Sequence, residues 1–276
     1  MKHNEGKFTG ADGLELYYQC WQPDGQPRAA LAIVHGIGEH SGRYMNVVNQ
    51  IVPHGYSVYG FDLRGHGRSA GQRGYIGGWQ DYREDVRAFV RMVGEQAAGR
   101  AIFIMGHSLG GLITLEYVLQ YPDGLKGVIA SAPALGQTGV PPLLIVISRI
   151  LSRVWPTFSL KTQLDASGIS RDPAVVRAYV EDPLVHSLGT ARLGAEAPTA
   201  MAWTQAHAAD LRLPLLIVHG SADRLVPPEA SRIFFENASS TDKTRLVYEG
   251  GYHESHNDLH HVQALTDLEQ WLERHL

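Results

Sequence analysis

Gly106, Ser108 and Gly110 form a G-x-S-x-G pattern inside AIFIMGHSLGGLITL (101–115). A serine hydroxyl of ordinary pKa is a poor nucleophile, so the pattern carries chemistry only with a base beside it and a third group orienting that base. The neighbouring sequence sets the posture of the serine. Ala101–Met105 is a short, uninterrupted apolar run, suited to a strand buried on both faces. From Leu109 through Leu119 the apolar residues recur as they do in a helix. A strand that turns straight into a helix turns sharply, and side chains two positions either side of the serine must vanish. The serine is then strained, with its hydroxyl standing clear of the sheet.

The partners should lie where later strands end, because the crevice of an open α/β sheet lies at its carboxyl edge. PLLIVHGSADRLVPP places Asp223 just past one strand, and TRLVYEGGYHESHND places His253 just past another. Ser108, Asp223, His253 is the chain order of an α/β-hydrolase triad. Asp223 also reads as a turn or helix-cap residue. Its rival, Asp210, precedes its strand and so lies at the wrong edge. His256 follows a second turn residue, and His260 and His261 fall in the last helix, which leaves His253 as the base. His35, His66 and His107 sit beside glycines at other turns and read as structural hydrogen-bonders. No H-E-x-x-H pairing occurs, so neither a metal nor any cofactor is expected. The oxyanion formed by attack needs preorganised donors. The Leu109 N–H is one, and HGIGEHSGRY (35–44) supplies the other at Ile37.

The elements that must position these groups alternate. Buried-strand candidates at 30–36, 57–65, 101–108, 127–133, 214–221 and 244–250 are interleaved with helical stretches around 43–53, 79–97, 109–121, 228–237 and 258–275. That rhythm predicts an α/β fold with a mostly parallel central sheet flanked by helices. FTGADGLELYYQCWQ instead predicts an antiparallel hairpin turning at Asp12-Gly13. The rhythm breaks over 134–207, where prolines recur, helical patterns follow one another and no clear strand is visible. The expected organisation is a core of 1–133 and 208–276 with a helical cap, 134–207, inserted over the end of the sheet.

Within the insertion, VPPLLIVISRILSRVWP is amphipathic. Ser148, Arg149, Ser152 and Arg153 share one face, into which Ile145 intrudes, and Leu143, Val146, Ile147, Ile150, Leu151 and Val154 share the other. Two readings follow: an apolar face packed on the core, or a lid that faces lipid or an acyl chain.

Composition bounds the rest. With 276 residues, 44% hydrophobic and 19% charged, the chain buries a large core and is not disordered. A net charge of −4 gives no electrostatic case for nucleic acid. One cysteine, Cys20, removes any disulfide argument for secretion. MKHNEGKFTG lacks the apolar region of a signal peptide, and Leu143–Ile147 is far too short to span a bilayer. The expectation is a soluble, cytoplasmic protein that meets a membrane or micelle only at its periphery and transiently, through the cap. Oligomeric state is not legible.

HGIGEHSGRY, FDLRGHGRSAG, GHSLGG, GSADRLVPP and EGGYHESHN, in that order and spacing, resemble the monoacylglycerol lipase and lysophospholipase-like group of the α/β-hydrolases. The likeness covers both core portions, and DPAVVRAYVEDPLVH resembles that group's cap. It implies a cap over an acyl channel and a polar pocket for a glycerol leaving group, bordered by Glu39, Arg43 and His256. Glu39 and Arg43 have a competing reading as a salt bridge that holds the loop.

The implied activity is hydrolysis of a small lipid ester, a monoacylglycerol, through an acyl-enzyme on Ser108. The alternatives are a lysophospholipase or a general carboxylesterase acting on other small acyl or phenolic esters, and a non-catalytic hydrolase fold that binds a small molecule. HGIGEH departs from the G-G-x-G segment of proline-type peptidases, and Ser108 excludes the carboxylate-nucleophile chemistry of dehalogenases and epoxide hydrolases.

Overall fold

The computed structural model describes residues 1–136, 142–162 and 164–276, without the side chains of Pro142, Leu144 and Ile145. The strands that the apolar runs predict form one eight-stranded sheet in the order β1-β2-β4-β3-β5-β6-β9-β10. β1 (Lys2–Thr9) and β2 (Glu15–Gln22) make the expected hairpin, and β2 joins β4 (Tyr56–Phe61) antiparallel. The other pairings, through β3 (Ala29–Val34), β5 (Ala101–His107), β6 (Gly127–Ser131), β9 (Leu215–Gly220) and β10 (Lys243–Tyr248), are parallel.

Period-2 alternation sends strand side chains to two separate cores. Ala30, Ala32 and Val34 face α2 (Trp79–Ala97) and α3 (Leu109–Gln120), where Phe89, Val93 and Leu112 are buried. Leu31 and Ile33 face α1 (Met45–Ile51) and α8 (His261–Arg274), where Val48, Leu268 and Trp271 are buried. Burial on both faces explains why the central strands read as unbroken apolar runs.

Between β6 and β9 the chain leaves the sheet. It forms α4 (Pro142–Val154), α5 (Pro173–Glu181) and α6 (Ala191–Ala206) before α7 (Pro228–Asn237) follows β9. It also forms two strands not anticipated there, β7 (Ser159–Lys161) and β8 (Leu188–Thr190), paired antiparallel. Three residues each are too few to show a period.

α4 corrects one of the two readings of its sequence. Ser152 is buried and Ser148 half-buried, and a Cβ on Gly194 of α6 would lie 3.2 Å from Ser148 Oγ. The small polar face is therefore the packed one. Leu143, Val146, Ile147, Ile150 and Val154 are exposed, Val154 by 75%, while Leu151 is half-buried. The apolar face thus does not pack on the core. Val140 and Pro141, which open the stretch, and the Ile145 side chain lie outside the described residues. Among the described residues no helix is long and apolar enough to cross a membrane.

Candidate active site

Ser108 joins β5 to α3 with φ 54° and ψ −118°, a positive φ that a β-carbon makes unfavourable. The two flanking glycines are there for space. A Cβ on Gly106 would lie 2.3 Å from the Gly110 carbonyl oxygen, and one on Gly110 would lie 2.2 Å from that of Val34. Backbone bonds clamp the turn: Ser108 N–H donates to Ser131 O at 2.9 Å, and Ser108 O accepts from Ala134 N at 2.9 Å.

Asp223 and His253 follow β9 and β10 at the same edge of the sheet. His253 Nδ1 lies 2.7 Å from Asp223 Oδ2. The other carboxylate oxygen accepts the Leu225 and Val226 amides at 2.8 and 2.9 Å. Burial alone would raise the Asp223 pKa, but hydrogen bonds from His219 and His253 outweigh it and hold the carboxyl well below its usual range. An ionised Asp223 keeps the His253 proton on Nδ1 and leaves Nε2 free to accept one. The Ser108 hydroxyl makes no hydrogen bond to His253 among the described residues. Nucleophile–base contacts of this kind commonly tighten only around substrate.

The loop after β3 lies against the elbow. A Cβ on Gly36 would stand 3.2 Å from Ser108 Cβ, so Ile37, one residue on, borders the nucleophile. Leu109 is the first residue of α3, and its N–H has no acceptor within the helix. Leu109 and Gly36, the residue before Ile37, therefore both adjoin Ser108.

Glu39 and Arg43 are spent internally. Glu39 accepts from the Gly36 amide at 2.6 Å, the Tyr44 hydroxyl at 2.9 Å and Arg43 at 2.7 Å. Arg43 also makes two parallel bonds to Glu254, at 2.7 and 2.8 Å, and lies over the Tyr179 ring at 4.6 Å. Burial would raise the Glu39 pKa, yet Arg43 and the neighbouring groups keep the carboxyl well below its usual range. These contacts match the loop-holding salt bridge. His256 stacks on Tyr44 with centroids 4.8 Å apart, and among the described residues neither ring nitrogen has a hydrogen-bond partner. Burial pushes its pKa down, so it sits neutral.

The other histidines divide as their positions suggest. His35 accepts the Leu63 amide, His66 bonds the Arg64 carbonyl, and His107 bonds Ser131 Oγ at 3.3 Å. His260 caps the last helix and His261 opens it. Asp210 is exposed in a short turn before β9. Among the described residues no three His, Cys, Asp or Glu side chains are grouped to hold a metal ion.

Residues 25–260 match the family described as serine aminopeptidase, S33 (Hydrolase_4). The chain belongs to that family. It is 36% identical to a monoacylglycerol lipase of Mycolicibacterium smegmatis, over 99% of this chain and 98% of that one. It is 31% identical to a monoglyceride lipase of Mus musculus, over 96% of this chain and 89% of that one. Among solved structures, the monoacylglycerol lipase of Paleococcus ferrophilus aligns over 100% of both chains with a TM-score of 0.86 and 33% identity. The likeness carried by the five motifs thus extends over the whole chain, and the fold is that of the α/β-hydrolases.

Two residues of this family member escape sequence reading. Glu254 is the partner of Arg43, yet the two are 211 positions apart and nothing local joins them. His219 sits inside β9, where it reads as part of a buried strand, and it bonds the catalytic carboxylate candidate. A histidine in an otherwise apolar strand four residues before Asp223 was the one available signal.

Proposed function

We propose that the protein hydrolyses monoacylglycerols to fatty acid and glycerol through an acyl-enzyme on Ser108. The observation that carries this reading is the strained Ser108 on its elbow, with the Asp223–His253 pair at the same sheet edge. The names of the relatives supply the substrate class.

His253 Nε2 takes the Ser108 proton as the oxygen attacks the ester carbonyl, and Asp223 holds the resulting imidazolium. The Ile37 and Leu109 amides stabilise the tetrahedral oxyanion. The carbonyl–oxygen bond to glycerol then breaks, and His253 returns the proton to the departing alkoxide. Water repeats the sequence on the acyl-enzyme and releases the fatty acid. Glu39, Arg43 and His256 act on the glycerol side indirectly, by holding the loop that carries Ile37 in place.

The segment 134–207 serves as the cap. Its exposed α4 face supports transient contact with the lipid aggregates in which such esters reside.

The test compares kcat/KM for one acyl chain carried on glycerol, glycerophosphocholine and methanol. A marked preference for the glyceryl ester is expected. Equal rates would leave a general carboxylesterase, and a preference for glycerophosphocholine would leave a lysophospholipase. Ser108→Ala should lower kcat by about a millionfold. More than a tenth of the activity surviving in a pure preparation would remove Ser108 from the mechanism.

A further inference from the structure

His219 is fully buried in β9, and its ring bridges three groups. Nε2 lies 3.1 Å from Asp223 Oδ2 and 3.1 Å from the Val226 carbonyl oxygen. Neither of those atoms can donate, so Nε2 must carry a proton. Nδ1 lies 2.9 Å from Ser231 Oγ, whose hydroxyl donates to the Pro228 carbonyl at 2.8 Å. Whichever way that hydroxyl turns, the bond to Asp223 runs from His219 to the carboxylate.

Asp223 Oδ2 is thus shared by two histidines, and the shorter bond belongs to His253 at 2.7 Å. We propose that His219 is a positioning residue of the hydrolase: its Nε2–H holds Asp223 in place and draws charge from the oxygen that steadies His253. This inference rests on the assignment of Asp223 and His253 made above.

A donor on the far side of Oδ2 makes that oxygen a weaker acceptor for protonated His253. Removing that donor strengthens Oδ2 as an acceptor for the imidazolium formed during attack, and the pH profile of the reaction is where its loss is read. The other ionisable groups about His253 are its neighbour Glu254, His107, whose ring centroid is 4.7 Å away, and Glu39, Arg43 and His256 behind it. A substitution at 219 alters none of these.

The experiment is the pH profile of kcat/KM on p-nitrophenyl butyrate for wild type, His219→Leu and His219→Gln. Loss of the donor in His219→Leu should move the acid limb upward by about one pH unit. His219→Gln, which retains an N–H near the Nε2 position, should restore most of that shift. A residue that only fills space would lower kcat or stability and leave the limb where it was. An unmoved limb in folded His219→Leu, or no recovery in folded His219→Gln, overturns the proposal.

Nitrogen NMR of wild type with labelled imidazoles supplies a readout that needs no variant. A protonated His219 Nε2 at pH 8 is expected, and an unprotonated one overturns the inference. That measurement is independent of turnover, so it separates failure here from failure of Ser108→Ala to abolish activity.

Discussion

Arg43 grips Glu254 with two parallel bonds of 2.7 and 2.8 Å, tying the loop that carries Ile37 to the loop that carries His253. The ion pair is buried, with the arginine side chain 9% and the glutamate side chain 3% exposed. Removing one partner strands the other charge in a dry site. Arg43→Ala should therefore cost about 3–5 kcal/mol of folding stability, measured by urea denaturation. Arg43→Lys should recover little of it, because an ammonium cannot reproduce the two-pronged bond. Full recovery by lysine would reduce the pair to a simple point-charge contact.

Gly110 sits where the α3 backbone passes β3, and a Cβ there would be 2.2 Å from the Val34 oxygen and 2.3 Å from the His35 oxygen. Neither is the end of a flexible side chain, so the helix must move in Gly110→Ala. A displacement near 1 Å costs about a hundredfold in rate. Fluorophosphonate labelling of Ser108 should slow by at least that much, and wild-type labelling would show that the elbow is looser than its contacts imply.

Burial depresses the pKa of His35, His66, His107 and His256, and takes His186 down to about 4. The sign follows from proton counting. Below the ordinary value of 6.5 the unfolded chain binds protons that these folded-state histidines refuse, so stability must fall as pH drops through that region. Glu39 and Asp223, held below the carboxylate range, extend the loss at still lower pH. Calorimetry should find Tm falling from pH 6.5 towards 4. A flat profile down to pH 4 would mean that the buried rings accept protons after all.

The exposed apolar face of α4 should matter only at an interface. Ile150→Ser combined with Val154→Ser removes side chains that are 59% and 75% exposed, so stability should change by less than about 0.5 kcal/mol. The rate on a monomeric short-chain ester should not change, while the stimulation by phospholipid vesicles should drop. Equal stimulation of variant and wild type would take α4 out of membrane contact.

Much of the fold was legible because its signals are local. Apolar runs, unbroken in β3 and only briefly interrupted in β4, β5, β6 and β9, marked the strands, and the glycines about Ser108 marked a sharp turn. Asp223 and His253 were legible as residues just past strands, and they are bonded to each other. What stayed hidden depends on distance or on choice of partner. Amphipathicity gives α4 two faces but does not say which meets protein, and the serine face did so because small side chains allow close approach to α6. The grip of Arg43 on Glu254 and the donation from His219 to Asp223 exist only once separate loops have met.

The His186 amide donates to the Gly38 carbonyl at 2.8 Å, next to Ile37. An ester large enough to push residue 186 aside would loosen the peptide that follows Ile37, the residue proposed above to hold the oxyanion. Bulk at that point would then be penalised in kcat as well as in KM.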